Sequence, residues 1–440
     1  MRRLLTVLVL ALPLSTAAET KVTLLHFSDY HSHAVPFYSE DGERGGIARA
    51  IGYLRSEKRA GALVFNGGDT INKGAPAWSD RYGCAEWPWL NGIVDAMAFG
   101  NHEADYGMEY LARCQRSIRY PILSANVGEM QRFAVFESRG IRIGVFAVAG
   151  SDFSRLVTAP GLSFGDPVEA ARAVVHDLRE NQRVDAVIMI GHQHSEADYA
   201  LAKAVPGIDL IFGTHSHLKR ELTRIPGTDT WFISPFQYLT YISRVELTFE
   251  GGDLSGVRGE LVPVDKRMRE HRGIARRVRT MQTALERDPR YRDLFMPIAV
   301  LPAAILVKDL AGWTLEAMRD AAGADVALST TSSFRRPLPA GELTMESLRG
   351  ALPYDNEIVV CTMTGSQLQR LLDESAARRV KDSGSYVLAP AVIDPAGSYR
   401  VATTEYQANV AYREFFDCVL TNTGLRVREE LRRRLVREAR

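Results

Sequence analysis

The sequence predicts an α/β protein with a layered first domain and a second, smaller α/β domain. Three observations predict it. A chain of 440 residues exceeds what one hydrophobic core usually serves. Its first half alternates short β-rich runs with amphipathic stretches, the pattern of a layered α/β domain. Near residue 265 the β character stops, gives way to an arginine-rich stretch, and resumes beyond residue 297.

The elements follow in order. Arg2 and Arg3 precede an apolar run at 4–14 and small residues through Ala17 and Ala18, which reads as an export signal over residues 1–18 with cleavage near Ala18. That run falls short of the ~20 residues a spanning helix needs. No later run is long and apolar enough either, so the mature chain is expected in the periplasm or secreted. From 21 to 264, strands are expected at 22–27, 62–66, 96–99, 141–148, 186–190 and 210–212. Residues 265–293 read as a helical linker whose charge is a solvated face. Over 294–440, strands are expected at 298–307, 325–328, 358–363, 386–388 and 398–402, with helices near 314–322 and 365–375. The arginines of 425–440 are interrupted by glutamates, so this end reads as a surface helix and not as an RNA-binding tail.

Composition narrows the function. Basic residues number 54 and acidic residues 53, which leaves no electrostatic footprint for nucleic acid. In an oxidising compartment the four cysteines have a candidate pairing of Cys84 with Cys114 and Cys361 with Cys418, one bridge per domain; free buried thiols are the other reading. No Cys-x-x-Cys pair suggests zinc held by thiolates.

The chemistry-bearing residues cluster where strands end. In open α/β sheets, loops beyond the carboxyl ends of separate strands converge on one crevice. Asp29, His31, Asp69, Asn101, His192, His215 and His217 stand at such places. They offer oxygen and imidazole nitrogen without thiolate, a donor set suited to manganese, zinc, iron or cobalt. Asp69 has two oxygens and could bridge two divalent ions about 3.5–4 Å apart, the spacing of two-metal hydrolytic sites. Two divalent ions against Asp29 and Asp69 leave a positive excess, which suits a phosphate dianion better than a neutral peptide. Such ions generate hydroxide from bound water near neutral pH. His102 follows Asn101, and Asp105 lies three residues on, so at a helix start the carboxylate would face the imidazole and favour its protonated form. His102 could then serve the leaving alkoxide as a proton donor. His26, His33, His176 and His271 read as ordinary core or surface histidines.

The blocks Asp29-x-His31, Gly68-Asp69, Gly100-Asn101-His102-Glu103, Gly191-His192 and Gly213-Thr214-His215-Ser216-His217, in this order, resemble those of the calcineurin-like metallophosphoesterases. More narrowly, Leu25-His26-Phe27-Ser28-Asp29, the stretch from Gly100 to Gly107, Ser124-Ala125-Asn126-Val127 and Gly207-Ile208-Asp209-Leu210 are similar to the 5'-nucleotidase family. The resemblance covers nearly the whole mature chain. It implies a β-sandwich metallophosphoesterase domain flanked by helices at 21–264, and a substrate-binding C-terminal domain at 294–440. It also implies one metal site from Asp29, His31, Asp69 and His217, another from Asp69, Asn101, His192 and His215, and His102 with Asp105 as the catalytic dyad. Asn126 would touch the substrate phosphate, Arg335 would contact an anion through its forked donors, and Tyr386 and Tyr406 would stack on a nucleobase.

Two stretches depart from the family pattern. Thr331-Ser332-Ser333-Phe334-Arg335 stands where relatives carry an Asn-Gly-x-x-Arg-like run. Gln407-Ala408-Asn409-Val410-Ala411 replaces a Gly-Gly-Asp-Gly run whose aspartate contacts the ribose. The expected activity is hydrolysis of nucleoside 5'-monophosphates, extending to nucleotide diphosphosugars such as UDP-sugars or to 2',3'-cyclic nucleotides. The alternatives are a thiosulfate-ester or other anion hydrolase on the same scaffold, and a non-catalytic metal-dependent binding protein.

Overall fold

The computed structural model describes residues 19–74, 76–157, 159–379 and 384–439. The export-signal reading at 1–18 lies outside the described residues.

Two six-stranded sheets form the first half. In one, Thr20–Phe27, Leu63–Asn66, Ala96–Ala98 and Ile122–Leu123 run parallel, and the hairpin of Tyr241–Glu250 and Asp253–Pro263 is added antiparallel beside Thr20–Phe27. In the other, Ile141–Phe146, Ala186–Met189, Leu210–Phe212 and Trp231–Pro235 run parallel, with Phe133–Ser138 and Lys219–Arg224 antiparallel at the edges. The sheets pack face to face. Leu24, Phe65, Val245 and Leu247 of the first meet Ile143, Val145, Ile188, Leu210 and Phe212 of the second in one apolar cluster. The opposite face of the first sheet (Leu25, Phe27, Val64, Met97) is covered by Ile47–Arg59 through Ile47, Ile51 and Leu54. Pro167–His176 and Ser195–Ala204 cover the second sheet through Val174, Val175 and Leu201. The order of layers is helix, sheet, sheet, helix.

This layering explains which strands the sequence reveals. Leu63–Asn66 and Ala186–Met189 are buried at every position because both faces are covered, so they read as unbroken apolar runs. Tyr241–Glu250 alternates between buried and half-buried positions along most of its length. It and its hairpin partner, like Phe133–Ser138, Lys219–Arg224 and Trp231–Pro235, are strands that the sequence reading does not anticipate.

The arginine-rich stretch folds as the helix Arg272–Arg287. Its inner face buries Ile274, Ala275, Val278 and Leu285 in the same cluster as Ile51 and Leu54, so the helix is docked on the first sheet's covering layer. Exposed arginines occupy the other face.

In the second half, five strands order as Ser385–Leu388, Val326–Thr330, Ser398–Thr404, Glu357–Thr364 and Thr421–Arg426. Val307–Ala322 and the C-terminal helix Val427–Glu438 cover one face through Leu310, Leu315, Met318, Leu431 and Leu435. Gly365–Arg379 and the segment around Tyr412 and Phe416 cover the other. The expected strand at 298–307 is shorter, Pro297–Leu301. Pro302 ends it, and the apolar spacing from residue 307 onward is helical. Both cysteine pairs are bridged, Cys84 to Cys114 and Cys361 to Cys418.

The halves touch near the strand ends. Gln237 Nε2 donates to the Arg335 carbonyl at 2.9 Å, the Ala77 amide to Glu346 Oε1 at 2.7 Å, and the Val307 amide to Glu40 Oε1 at 3.1 Å.

Candidate metal centre and active site

Each residue expected to hold metal or to form the dyad lies past the carboxyl end of a strand in one of the two sheets, and the loops of both sheets open on the same edge of the sandwich. Asp29 and His31 follow Thr20–Phe27, Asp69 follows Leu63–Asn66, Asn101 and His102 follow Ala96–Ala98, His192 follows Ala186–Met189, and His215 and His217 follow Leu210–Phe212. The loops are laced to one another. The Asp29 amide donates to the Gly68 carbonyl at 3.0 Å and the His31 amide to the Asp69 carbonyl at 2.9 Å. The His215 amide donates to the Asp29 carboxylate at 3.2 Å.

The backbone is strained where the donors sit. Asp29, His31, Asp69, His215 and His217 have φ between 47° and 55°, the left-handed region that costs a non-glycine residue about 1–3 kcal/mol and tends to mark functional sites. Gly68, at φ 89°, has no room for a Cβ, which would lie 2.8 Å from the Gly100 nitrogen.

The donor atoms form overlapping groups, each lying within 4.8 Å of one another: Asp29 with His31 and His217; His31 with Asp69 and His102; Asp69 with His192 and His215. Asp69 Oδ2 faces both His192 Nε2 at 3.1 Å and His31 Nε2 at 3.8 Å. His217 Nε2 is 3.0 Å from Asp29 Oδ1 and 3.1 Å from His31 Nε2.

These residues fit divalent ions. Burial is the main cause that pushes the imidazole of His31 down to about 3 and that of His215 down to about 4, which keeps both in the neutral, metal-binding form. His192 is different: burial works against its charge, but Asp69, Asp29 and the Gly67 carbonyl together outweigh it and raise it to about 10. Its Nδ1–H donates to the Gly67 carbonyl at 2.6 Å, so Nε2 faces Asp69. At 3.1 Å that contact lacks hydrogen-bond geometry, and Nε2 is a buried atom without a hydrogen-bond partner, as is Asn101 Oδ1. Asp69 thus calls for a positive charge at His192 Nε2, which a proton meets in the absence of metal and a divalent ion would meet in its place.

Beside this group lies an imidazole–carboxylate pair. His102 Nδ1–H donates to Asp105 Oδ2 at 2.8 Å, and the same oxygen accepts from the Lys73 amide at 2.8 Å. Burial opposes a charge on His102, but Asp69, Tyr354 and Asp105 outweigh it and hold its pKa well above the usual histidine range.

The second half contributes Arg335, whose Nη1 is 3.5 Å from His217 Nε2 and whose buried Nε has no partner. Tyr354 brings its hydroxyl to 3.4 Å from His102 Nε2 and lies under the Arg335 guanidinium. Tyr406 is partly exposed, and Tyr354, Asp152 and Arg335 are among the groups acting on its hydroxyl.

One expected substrate contact is corrected. The amide of Asn126 is fully used: Nδ2 donates to the carbonyls of Ala149 and Gly165 at 2.9 and 3.0 Å, and Oδ1 accepts from the Ala149 amide at 2.8 Å. It ties loops together and has no hydrogen left for a phosphate. Tyr386 is half-buried and packs edge-on against Phe334 beside the second-half core. His33 holds to its ordinary reading, stacked on Tyr238 at 3.6 Å with Nδ1 bonded to the His31 carbonyl.

Three residues of the site lie beyond the sequence reading. Glu103 is fully buried and accepts from the amides of Asp69, Thr70 and Gly100 at 2.9, 2.7 and 2.7 Å. Tyr354 stands in a Pro-Tyr-Asp-Asn run whose spacing gives no sign that its hydroxyl reaches His102. Asp152 gives no signal at all, since a lone aspartate in a loop is commonplace.

Comparison with known proteins agrees with this architecture. Residues 22–219 match the calcineurin-like phosphoesterase family and residues 306–388 match the 5'-nucleotidase C-terminal domain. The chain belongs to the 5'-nucleotidase family. It is a metal-dependent phosphoester hydrolase by that membership. This 5'-nucleotidase family chain is 26% identical to Protein UshA of Yersinia enterocolitica over 88% of its own length and 85% of that protein. It is 25% identical to a 5'-nucleotidase of Vibrio cholerae over 83% of its own length and 77% of that protein. Two solved structures share the fold. A 5'-nucleotidase precursor of Thermus thermophilus has a TM-score of 0.75 at 21% identity, covering 96% of this chain and 97% of that one. The sulfate thiohydrolase SoxB of Thermus thermophilus, solved with glycerol, has a TM-score of 0.76 at 19% identity, covering 98% and 96%.

Proposed function

We propose that this chain is an exported 5'-nucleotidase that hydrolyses nucleotides with two divalent ions. One ion would be held by Asp29, His31, Asp69 and His217, the other by Asp69, Asn101, His192 and His215. The observation that carries this reading is the convergence, on one edge of the sandwich, of carboxylate and imidazole donors whose backbones are strained into the left-handed region. When bound, the ions acidify a water and neutralise charge on the phosphoryl oxygens.

The remaining residues divide the work. Arg335 offers its free Nε and fork to an anionic oxygen of the substrate. His102, steadied at Nδ1 by Asp105, holds a proton at Nε2 for the oxygen that departs. Tyr354 and Tyr406, both partly exposed on the second domain, would present ring faces to a planar leaving group. Glu103 and the Gly67 carbonyl orient Asp69 and His192. Export is supported by the character of residues 1–18, and among the described residues no helix is long and apolar enough to cross a membrane.

A second reading, hydrolysis of thiosulfate esters or another anion, has its own support. Where relatives present an aspartate to ribose, this chain forms the turn Gln407–Ala411 and buries Gln407, which bonds Ser385 Oγ at 2.6 Å. That turn therefore offers the sugar no carboxylate.

One assay separates the readings. With manganese added, the purified chain is expected to release phosphate from a panel of nucleoside 5'-monophosphates, UDP-sugars and 2',3'-cyclic nucleotides, and nothing from thiosulfate esters. Silence on every nucleotide would overturn the proposal.

A further inference from the structure

Asp152 stands outside the constellation described so far, yet its carboxylate lies beside one of the residues read as metal ligands. Its Oδ2 is 3.5 Å from His215 Nε2 and 3.4 Å from His194 Nε2. The side chains of Asp152 and His215 are mostly buried, whereas that of His194 is 58% exposed. The carboxylate is not a loose surface charge. The Gly150 amide donates to the His192 carbonyl at 2.9 Å, the Phe153 amide returns to the Gly150 carbonyl at 3.1 Å, and Ala149 bridges to His192. Phe153 is fully buried, and its ring lies about 6 Å from those of His192 and His215. The backbone that carries Asp152 is thus locked to the backbone that carries His192, and its carboxylate is aimed from there at His215.

We infer that Asp152 is a positioning residue for His215: it takes the Nε2–H side of the imidazole, so that Nδ1 is the atom left for the group shared with Asp69 and His192. The inference rests on reading His215 as a metal ligand. A carboxylate on the far nitrogen fixes the tautomer, orients the ring and makes the ligating nitrogen more basic, and loss of such a partner costs roughly 10- to 100-fold in metal affinity. His217 has no such partner: its Nδ1 is buried without a hydrogen bond. The effect of Asp152 therefore falls on one ion of the pair. His194 shares the carboxylate but is itself exposed, so its removal leaves the His215 contact in place.

The experiment uses the full chain stripped with a chelator and titrated with Mn2+, counting free ion by its electron paramagnetic resonance signal. Wild type is expected to bind two ions. Asp152→Asn and Asp152→Ala, compared at matching metal-free melting temperatures, are expected to bind one as before and the other roughly 10- to 100-fold more weakly. His194→Ala should match wild type. A second measurement needs no substitution: in the Zn2+-loaded chain with 15N-labelled histidine, His215 should carry its proton on Nε2. Unchanged affinity at both sites in the Asp152 variants, or a proton on Nδ1 of His215, overturns the inference and leaves the proposed function standing. A wild-type chain that takes up no Mn2+ overturns both.

Discussion

Replacing Glu103 with glutamine tests how the site is held together. The native carboxylate is fully buried and receives three backbone amides: Oε2 takes those of Asp69 and Gly100 at 2.9 and 2.7 Å, and Oε1 takes that of Thr70 at 2.7 Å. Glutamine has the same shape but only one acceptor oxygen. Whichever way the amide turns, at least one backbone N–H meets an NH2 group and is left buried and unpaired. Each orphaned donor costs about 1–3 kcal/mol, and bonds to a charged acceptor lie at the upper end of the usual range. With one or two amides stranded, Glu103→Gln should lose about 2–4 kcal/mol. No rearrangement relieves it cheaply, because a Cβ built on Gly100 would lie 2.6 Å from Glu103 Oε2, which shows how closely the loops pack there. The same bonds fix the loops that carry Asp69 and Asn101, so metal affinity should fall together with stability. Urea denaturation of the metal-free chain measures the first and a Mn2+ titration the second. A loss below about 0.5 kcal/mol, the ordinary scatter of surface substitutions, with unchanged affinity would refute the reasoning.

Two further predictions follow from the same geometry. His102→Ala should lower kcat by roughly 10²- to 10⁴-fold, the usual worth of a positioned proton donor, while metal content by elemental analysis stays at the wild-type level; full turnover would remove His102 from the reaction. Glu86 is buried, accepts from the Tyr30 hydroxyl at 2.7 Å, and is pushed by burial up from 4.5 to about 8. The unfolded chain therefore ionises this group first, and its contribution is present in full below pH 4.5 and lost as pH rises to about 8. At about 1.4 kcal/mol per pH unit the ceiling is roughly 5 kcal/mol, so Glu86→Gln, which cannot ionise, should become the more stable chain by a few kcal/mol at pH 8 and show no such gain at pH 4.5. Equal pH slopes for the two chains in urea denaturation would count against it.

How much is legible in the sequence depends on the range of the contact. Asp29, His31, Asp69, Asn101, His192, His215 and His217 are visible because each is a polar residue close behind an apolar run, and a strand end is a local signal. Glu103 stands in a recognisable block but gives no hint of its task, since its partners Asp69 and Thr70 lie more than thirty positions away. Tyr354 reaches His102 across 252 positions and between domains, which no spacing rule anticipates. Asn126 misleads for the opposite reason. Its place in a motif suggests an outward role, whereas the structure spends its whole amide on Ala149 and Gly165. Tyr386 looks equivalent to Tyr406 as an aromatic residue in a β-rich region, and only the register of Ser385–Leu388 against Val326–Thr330 turns its ring to Phe334.

The strain in the loops explains why the site needs the whole sandwich. Five left-handed residues at about 1–3 kcal/mol each would together cost as much as the net stability of a typical domain, about 5–15 kcal/mol. No single loop could carry that load through its own contacts. What opposes it is lacing between segments distant in sequence: Asp29 to Gly68, His31 to Asp69, Ser32 to Thr70, and Tyr238 to the Asp29 carbonyl, all within 2.8–3.0 Å. These bonds exist only once Thr20–Phe27 and Leu63–Asn66 are paired, and those strands are paired only within a sheet whose inner face is buried against the second. Each loop is then held in a conformation it would not choose by a neighbour held in the same way. The donors are fixed before any ion arrives, so binding spends little on ordering them, and the apolar core between the sheets is what makes that possible.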